Sequence, residues 1–124
     1  MRLVVGSLLA VLAIPILVAA AVLAMLGEVI VHGADIRRPL GLAHTPPEAA
    51  LVAVAGGWAR SNLLIGAKRR IAGVRLVATD SEWSHGDGPA VSGPLLALVL
   101  AMTGRTGAHD DLSGEGLALL ASRP

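Results

Sequence analysis

The 124-residue sequence contains no cysteine, tyrosine or phenylalanine, and its only aromatic residues are Trp58 and Trp83. Without cysteine there is no disulfide and no thiolate ligand or nucleophile, and the redox compartment is left open. Large rings normally dominate burial. A core of Ala, Val and Leu is therefore thinly packed, or else much of the apolar surface faces lipid or a partner. Charge is scarce as well: charged residues make up 15% and the net charge is +1, which gives no support for nucleic-acid binding. Hydrophobic residues, by contrast, reach 54%. The length suits one domain.

The apolar residues are concentrated at the start. Residues 3 to 27 carry no charge, and the stretch from Leu3 to Leu26 is long enough for a bilayer-crossing helix of roughly 20 residues. Arg2 stands where a signal peptide has its positive region, and Ala19-Ala20-Ala21 offers small residues for cleavage. The run exceeds the usual signal-peptide core of about 7–15 residues, so a signal-anchor helix is the better membrane reading. Pro15 would kink that helix, which lipid-embedded helices tolerate. Arg2 on one side opposes Arg37 and Arg38 on the other, so basic charge selects no orientation. The competing reading is a buried bundle helix, although a bundle helix in a small protein normally turns one face to water.

Beyond the run, Gly33 suits the C′ position of the first helix, which is expected to end near His32-Gly33. Pro39, Gly41, Pro46 and Pro47 mark residues 35–47 as a loop. Thr45-Pro46-Pro47-Glu48 reads as a helix start with Thr45 as N-cap and Glu48 as the N3 acid. That helix is expected to reach Ile65, weakened by Gly56-Gly57 and ended by Gly66. Lys68-Arg69-Arg70 then reads as a solvated basic helix end, or as a contact for anionic lipid. Residues 74–79 alternate as a half-buried strand with Val74, Leu76 and Ala78 on one face. Residues 82–85 and 90–92 supply two further strands, giving a small antiparallel meander. Pro94 opens a short apolar helix from Leu95 to Thr103, stopped by Gly104, and Asp111 or Ser113 caps a last helix reaching Ser122. The fold class expected is mainly α (α+β).

Glu28 and His32 lie four residues apart at the end of the apolar run, hence on one helical face. A carboxylate and an imidazole so placed can share one metal ion; the plain alternative is a surface ion pair worth a few tenths of a kcal/mol. Their position on an otherwise apolar helix favours a partner such as a metal. His85, near Asp80, Glu82 and Asp87, and His109, before Asp110-Asp111, sit in stretches better explained as turns. His44 in its Pro-rich loop reads as a surface residue. No nucleophile elbow is present, and Ser113-Gly114-Glu115-Gly116 is explained by helix initiation rather than by phosphate binding.

The string Gly27-Glu28-Val29-Ile30-Val31-His32-Gly33-Ala34-Asp35-Ile36-Arg37-Arg38-Pro39-Leu40-Gly41 resembles the actinobacterial maleylpyruvate isomerase family of mycothiol-dependent enzymes, whose metal-binding domain is a DinB-like four-helix bundle. The likeness continues through residues 61–70, 78–89 and 112–120, covering roughly residues 25 to 122. It implies a divalent metal, usually zinc, held by a Glu and a His four apart, which Glu28 and His32 match; mycothiol is implied by the family alone. The family's further His, from an earlier helix, has no counterpart, because no His precedes His32. Ala34 stands where the family commonly has an acid, weakening any support shell around the metal.

About two earlier bundle helices are also missing, and residues 1–24 do not look like the family. The chain thus reads as residues 1–26, an apolar helix that is a membrane anchor or a replaced N-terminus, followed by residues 27–124, the C-terminal part of a DinB-like domain. It resembles a truncated or degenerate member, joined to an unrelated leader or read from a displaced start. The resemblance implies weak metal binding through Glu28 and His32, no independent catalysis, and a cytoplasmic location. The uncovered apolar helices imply a homo-oligomer or a partner chain. The alternative is a small membrane-anchored, non-catalytic protein held by residues 3–26.

Overall fold

The computed structural model describes the backbone of residues 2–124 and the side chains of Val11 and residues 13–124. The first helix, α1, spans Arg2–Arg37 without a break, with Pro15 inside it. It runs through the expected boundary at residue 26 and past the expected end at Gly33. The reason is the residue after Gly33: Ala34 continues the stripe of Ile30 and Val31 into the core, so packing outweighs a glycine's cost of about 1 kcal/mol in a helix. Pro39 supplies the stop, since it has no N–H and disfavours helical geometry in the residue before it. Gly41, at φ +68, then completes the turn.

Helix α2 spans Glu48–Ala59, and Pro47 rather than Thr45 stands at its N-cap, without a side-chain cap. The helix ends six residues short of the expected Ile65. Asn62 in the next loop accepts the N–H of Arg69 through its side-chain oxygen at 2.7 Å and so secures a short helix, α3, spanning Ala67–Arg70. The Lys68-Arg69-Arg70 cluster is therefore helical itself, and Arg70 is not a solvated end. Its guanidinium donates to the carbonyls of Ile65, Met102 and Pro124, tying three segments together.

The contact of α1 with α2 depends on two glycines. A β-carbon at Gly27 would overlap the Trp58 ring, and one at Gly57 would overlap Leu23. Each helix thus offers a glycine to the other's large side chain. Gly57, which costs helix propensity, is the seat for Leu23.

Strands β1 (Arg75–Ala78), β2 (Ser84–His85) and β3 (Ala90–Gly93) form one sheet in the order β2-β1-β3. Val74, Leu76 and Ala78 are buried, as the alternation predicts. The pairing is mixed rather than an antiparallel meander: β2 runs antiparallel to β1, and β3 runs parallel to it. The chain crosses from one edge to the other through Gly86 and Gly88, both at positive φ, where a β-carbon would strike the carbonyls of Val74 and Gly73. Ser113 extends the far edge by bridging Ser92.

Helix α4 (Leu95–Met102) is buried on nearly every side; its first N–H, of Leu95, donates to the Asp80 carboxylate at 2.9 Å. A 3-10 helix (Thr106–Asp111) and helix α5 (Leu117–Ala121) close the chain. Gly116, and neither Asp111 nor Ser113, stands at the N-cap of α5. The architecture is mainly α (α+β), with its core between α1, α2, α4 and the sheet.

Candidate functional site

Because Ile30, Val31 and Ala34 turn inward, Glu28 and His32 face away from the core. They share a face as their spacing requires: His32 Nε2 lies 2.8 Å from Glu28 Oε2. Their side chains are 69% and 61% exposed, so water solvates both and burial does not force a metal between them. Ala34 is buried; an acid there would point into the core rather than toward His32.

Asp35 is the residue that ligand spacing alone does not single out. Its carboxylate lies 3.5 Å from His32 Nδ1 and accepts two hydrogen bonds from Arg105, at 2.8 Å from Nε and 2.7 Å from Nη2. This bidentate geometry is the strong form of an Arg–carboxylate pair. The Arg105 hydrogen bonds hold the Asp35 carboxyl below its ordinary value of 3.8 against the opposing effect of burial, with the charges of Arg105 and His32 assisting. The hydrogen bonds to Asp35 in turn push the Arg105 guanidinium above its ordinary value. Arg105 is itself aimed by Thr103, whose hydroxyl accepts from Nη1 at 2.8 Å and donates to the Leu100 carbonyl at 2.6 Å. A polar chain therefore runs from the end of α4 to the outer face of α1. The i, i+3 relation of Asp35 to His32 was legible in the sequence; the link to Arg105, 70 positions on, was not.

The remaining histidines lie away from this pair. His85 stacks on Trp83 with ring centroids 6.1 Å apart and planes 11° apart, while nearby Asp80 caps α4. Asp111, two residues after His109, pairs with Arg38 at 2.7 Å. His44 is exposed. Among the described residues no group of three or more His, Asp and Glu is arranged to hold a metal ion. Glu28 and His32 would supply two ligands, where a catalytic zinc takes three plus water, so the set does not fit a catalytic centre.

The part of α1 from Ala13 to Arg37 is long and apolar enough to cross a membrane, with a mean hydropathy of 2.5. No family model matches the chain, and no curated protein or solved structure matches it either.

Proposed function

We propose that this chain is a small membrane-anchored, non-catalytic protein whose N-terminal helix spans a bilayer and holds the rest of the chain at the membrane surface. One observation carries the reading: every described side chain from Val11 to Val22 is exposed, on all faces of α1. Ile14, Ile16, Leu17 and Val18 are among them. An apolar surface of that extent on a monomer marks contact with lipid or protein, and a helix apolar all round belongs in a core or a membrane. From Leu3 to Leu23, where packing on α2 begins, α1 measures about 30 Å, the thickness of a bilayer's hydrocarbon core.

The surroundings of Leu23 support the same depth. Leu63 and Leu64 are exposed, Leu63 by 85%, and they border the same small apolar cavity as Ala20 and Leu23. Arg60, Lys68 and Arg69 flank that loop and form no ion pair among the described residues. Apolar tips ringed by cations suit the boundary between acyl chains and anionic head groups. Extraction with alkaline carbonate tests the anchor: the chain is expected to stay with the membrane pellet, and full release into the supernatant would exclude a spanning helix.

A second reading rests on the 2.8 Å approach of Glu28 to His32. It makes the chain a remnant of a mycothiol-dependent, DinB-like enzyme that retains weak divalent-metal binding through that pair. Zinc titration of the protein alongside Glu28→Ala and His32→Ala tests it. Weak uptake lost in both variants is expected on this reading, and equal uptake in all three removes the site.

A further inference from the structure

Beyond the reach of lipid, the outer face of α1 stays apolar. Met25, Val29 and Ile36 are 68%, 72% and 65% exposed, and with Val18, Val22 and His32 they form one series. Its members, Val18, Val22, Met25, Val29, His32 and Ile36, are separated alternately by four and three residues. This is the heptad spacing of a coiled-coil seam. Val22, Val29 and Ile36 fall at a positions and are all β-branched, while Val18, Met25 and His32 fall at d. The body of the protein packs on the other side of the helix, through Leu23, Gly27, Ile30, Val31 and Ala34. At about 100° per residue the seam and the packed face are diametrically opposed. A second helix can therefore lie along the seam with the two bodies outside it.

We infer that this seam is the interface with a second copy of the chain, paired parallel and in register along α1. Charge selects the partner's direction. Glu28 and Asp35 occupy g positions, while the e positions hold Ala19, Leu26 and Gly33. In a parallel pair each g residue faces an e residue of the other strand, so Glu28 meets Gly33 and no like charges oppose. An antiparallel pair sets g against g and would bring the acids together. His32 is the one polar residue of the seam, and a lone polar core position fixes register at some cost in stability. The membrane-anchored reading adds a second reason for parallel pairing, since two copies inserted the same way point the same way; the seam itself does not depend on that reading.

The absence of cysteine makes the test direct. Single variants Val29→Cys and Ile36→Cys, and Ala53→Cys on the exposed face of α2, are oxidised in the membranes of cells expressing the full chain. A disulfide needs Cα atoms within about 7 Å, which a positions in a parallel pair satisfy, so both seam variants are expected to form dimers roughly tenfold more than Ala53→Cys. Seven residues apart, the two sites can both link to their own copies only in a parallel, in-register pair. Linkage no greater than at Ala53, or linkage at one seam position alone, overturns the proposal. Sedimentation in detergent gives a second measure: the natural chain is expected as a dimer and Val29→Glu/Ile36→Glu as a monomer with unchanged helix content, and a monomeric natural chain overturns it. Carbonate extraction of the same membranes reads the anchor separately, because a released chain that still links at both positions keeps the pairing and loses only the anchor.

Discussion

The outer half of α1 and the whole of α4 are both apolar on every side, yet they have opposite surroundings. Residues 13 to 22 are all exposed, whereas α4 from Leu95 to Met102 is buried on almost all faces. Hydropathy does not separate them; length and polar anchoring do. Helix α4 has eight residues, far short of the roughly 20 that a bilayer requires. Its ends are fastened to the domain by the Asp80 carboxylate at Leu95 and by Arg70 at the Met102 carbonyl. The exposed stretch of α1 belongs to a helix of 36 residues, which passes that length. An all-apolar helix thus becomes a core when it is short and fastened at both ends by its own domain, whereas the long one carries its apolar surface beyond the domain.

The sharpest way to break that comparison is to cut equivalent side chains in the two helices. Leu98 is fully buried, and Leu98→Ala is expected to cost about 2–5 kcal/mol, from lost transfer energy and the cavity left behind. Leu17 is exposed, and Leu17→Ala is expected to change the domain's stability by no more than about 0.5 kcal/mol. Denaturant unfolding in detergent, followed by Trp fluorescence, measures both. Equal losses would mean that the outer half of α1 packs in a core as α4 does.

A smaller effect is expected at the hinge between the two environments, where α1 changes from exposed to packed. Gly27→Ala places a methyl group against the Trp58 ring, and overpacking of this kind costs about 1–3 kcal/mol. Gly33→Ala, also within α1 but near only the flexible end of Arg37, is expected to stabilise slightly, because alanine favours helix by about 1 kcal/mol over glycine. The same unfolding measurement distinguishes the two glycines by the sign of the change.

Much of the domain was legible because its signals are local. Pro94 and Gly104 bracket α4, and the alternation of Val74, Leu76 and Ala78 marks β1. What escaped depends on distant partners. The parallel pairing of β3 with β1 is decided by where Gly86 and Gly88 let the chain cross, not by the strands' own residues. Gly33 reads as a helix end until Ala34 is seen inside the core, and Gly57 reads as a weakness until Leu23 is seen on it. The Glu28/His32 pair was legible as a pair, since i, i+4 geometry is intrinsic to a helix. Its exposure was not, because that depends on which side of α1 the rest of the chain covers.

The least effect is expected at the inner end of α1, where the packed half is tied by charge to Arg105, just beyond α4. Asp35 is held below its ordinary value of 3.8 chiefly by the Arg105 hydrogen bonds. A depressed carboxyl stabilises the fold fully above its unfolded value and loses that contribution as pH falls through the lower, folded one. Both partners are partly exposed, at 34% and 42%, which limits the pair to about 0.5–1 kcal/mol. Asp35→Asn is therefore expected to be less stable than the natural chain by that margin at neutral pH, and the gap is expected to close as pH falls below 3.8. Unfolding midpoints across the acid range measure it. A gap that persists undiminished into acid would assign the loss to Asp35 packing rather than to its charge, leaving the buried Ile30, Val31 and Ala34 to hold this end of α1 in the core unaided.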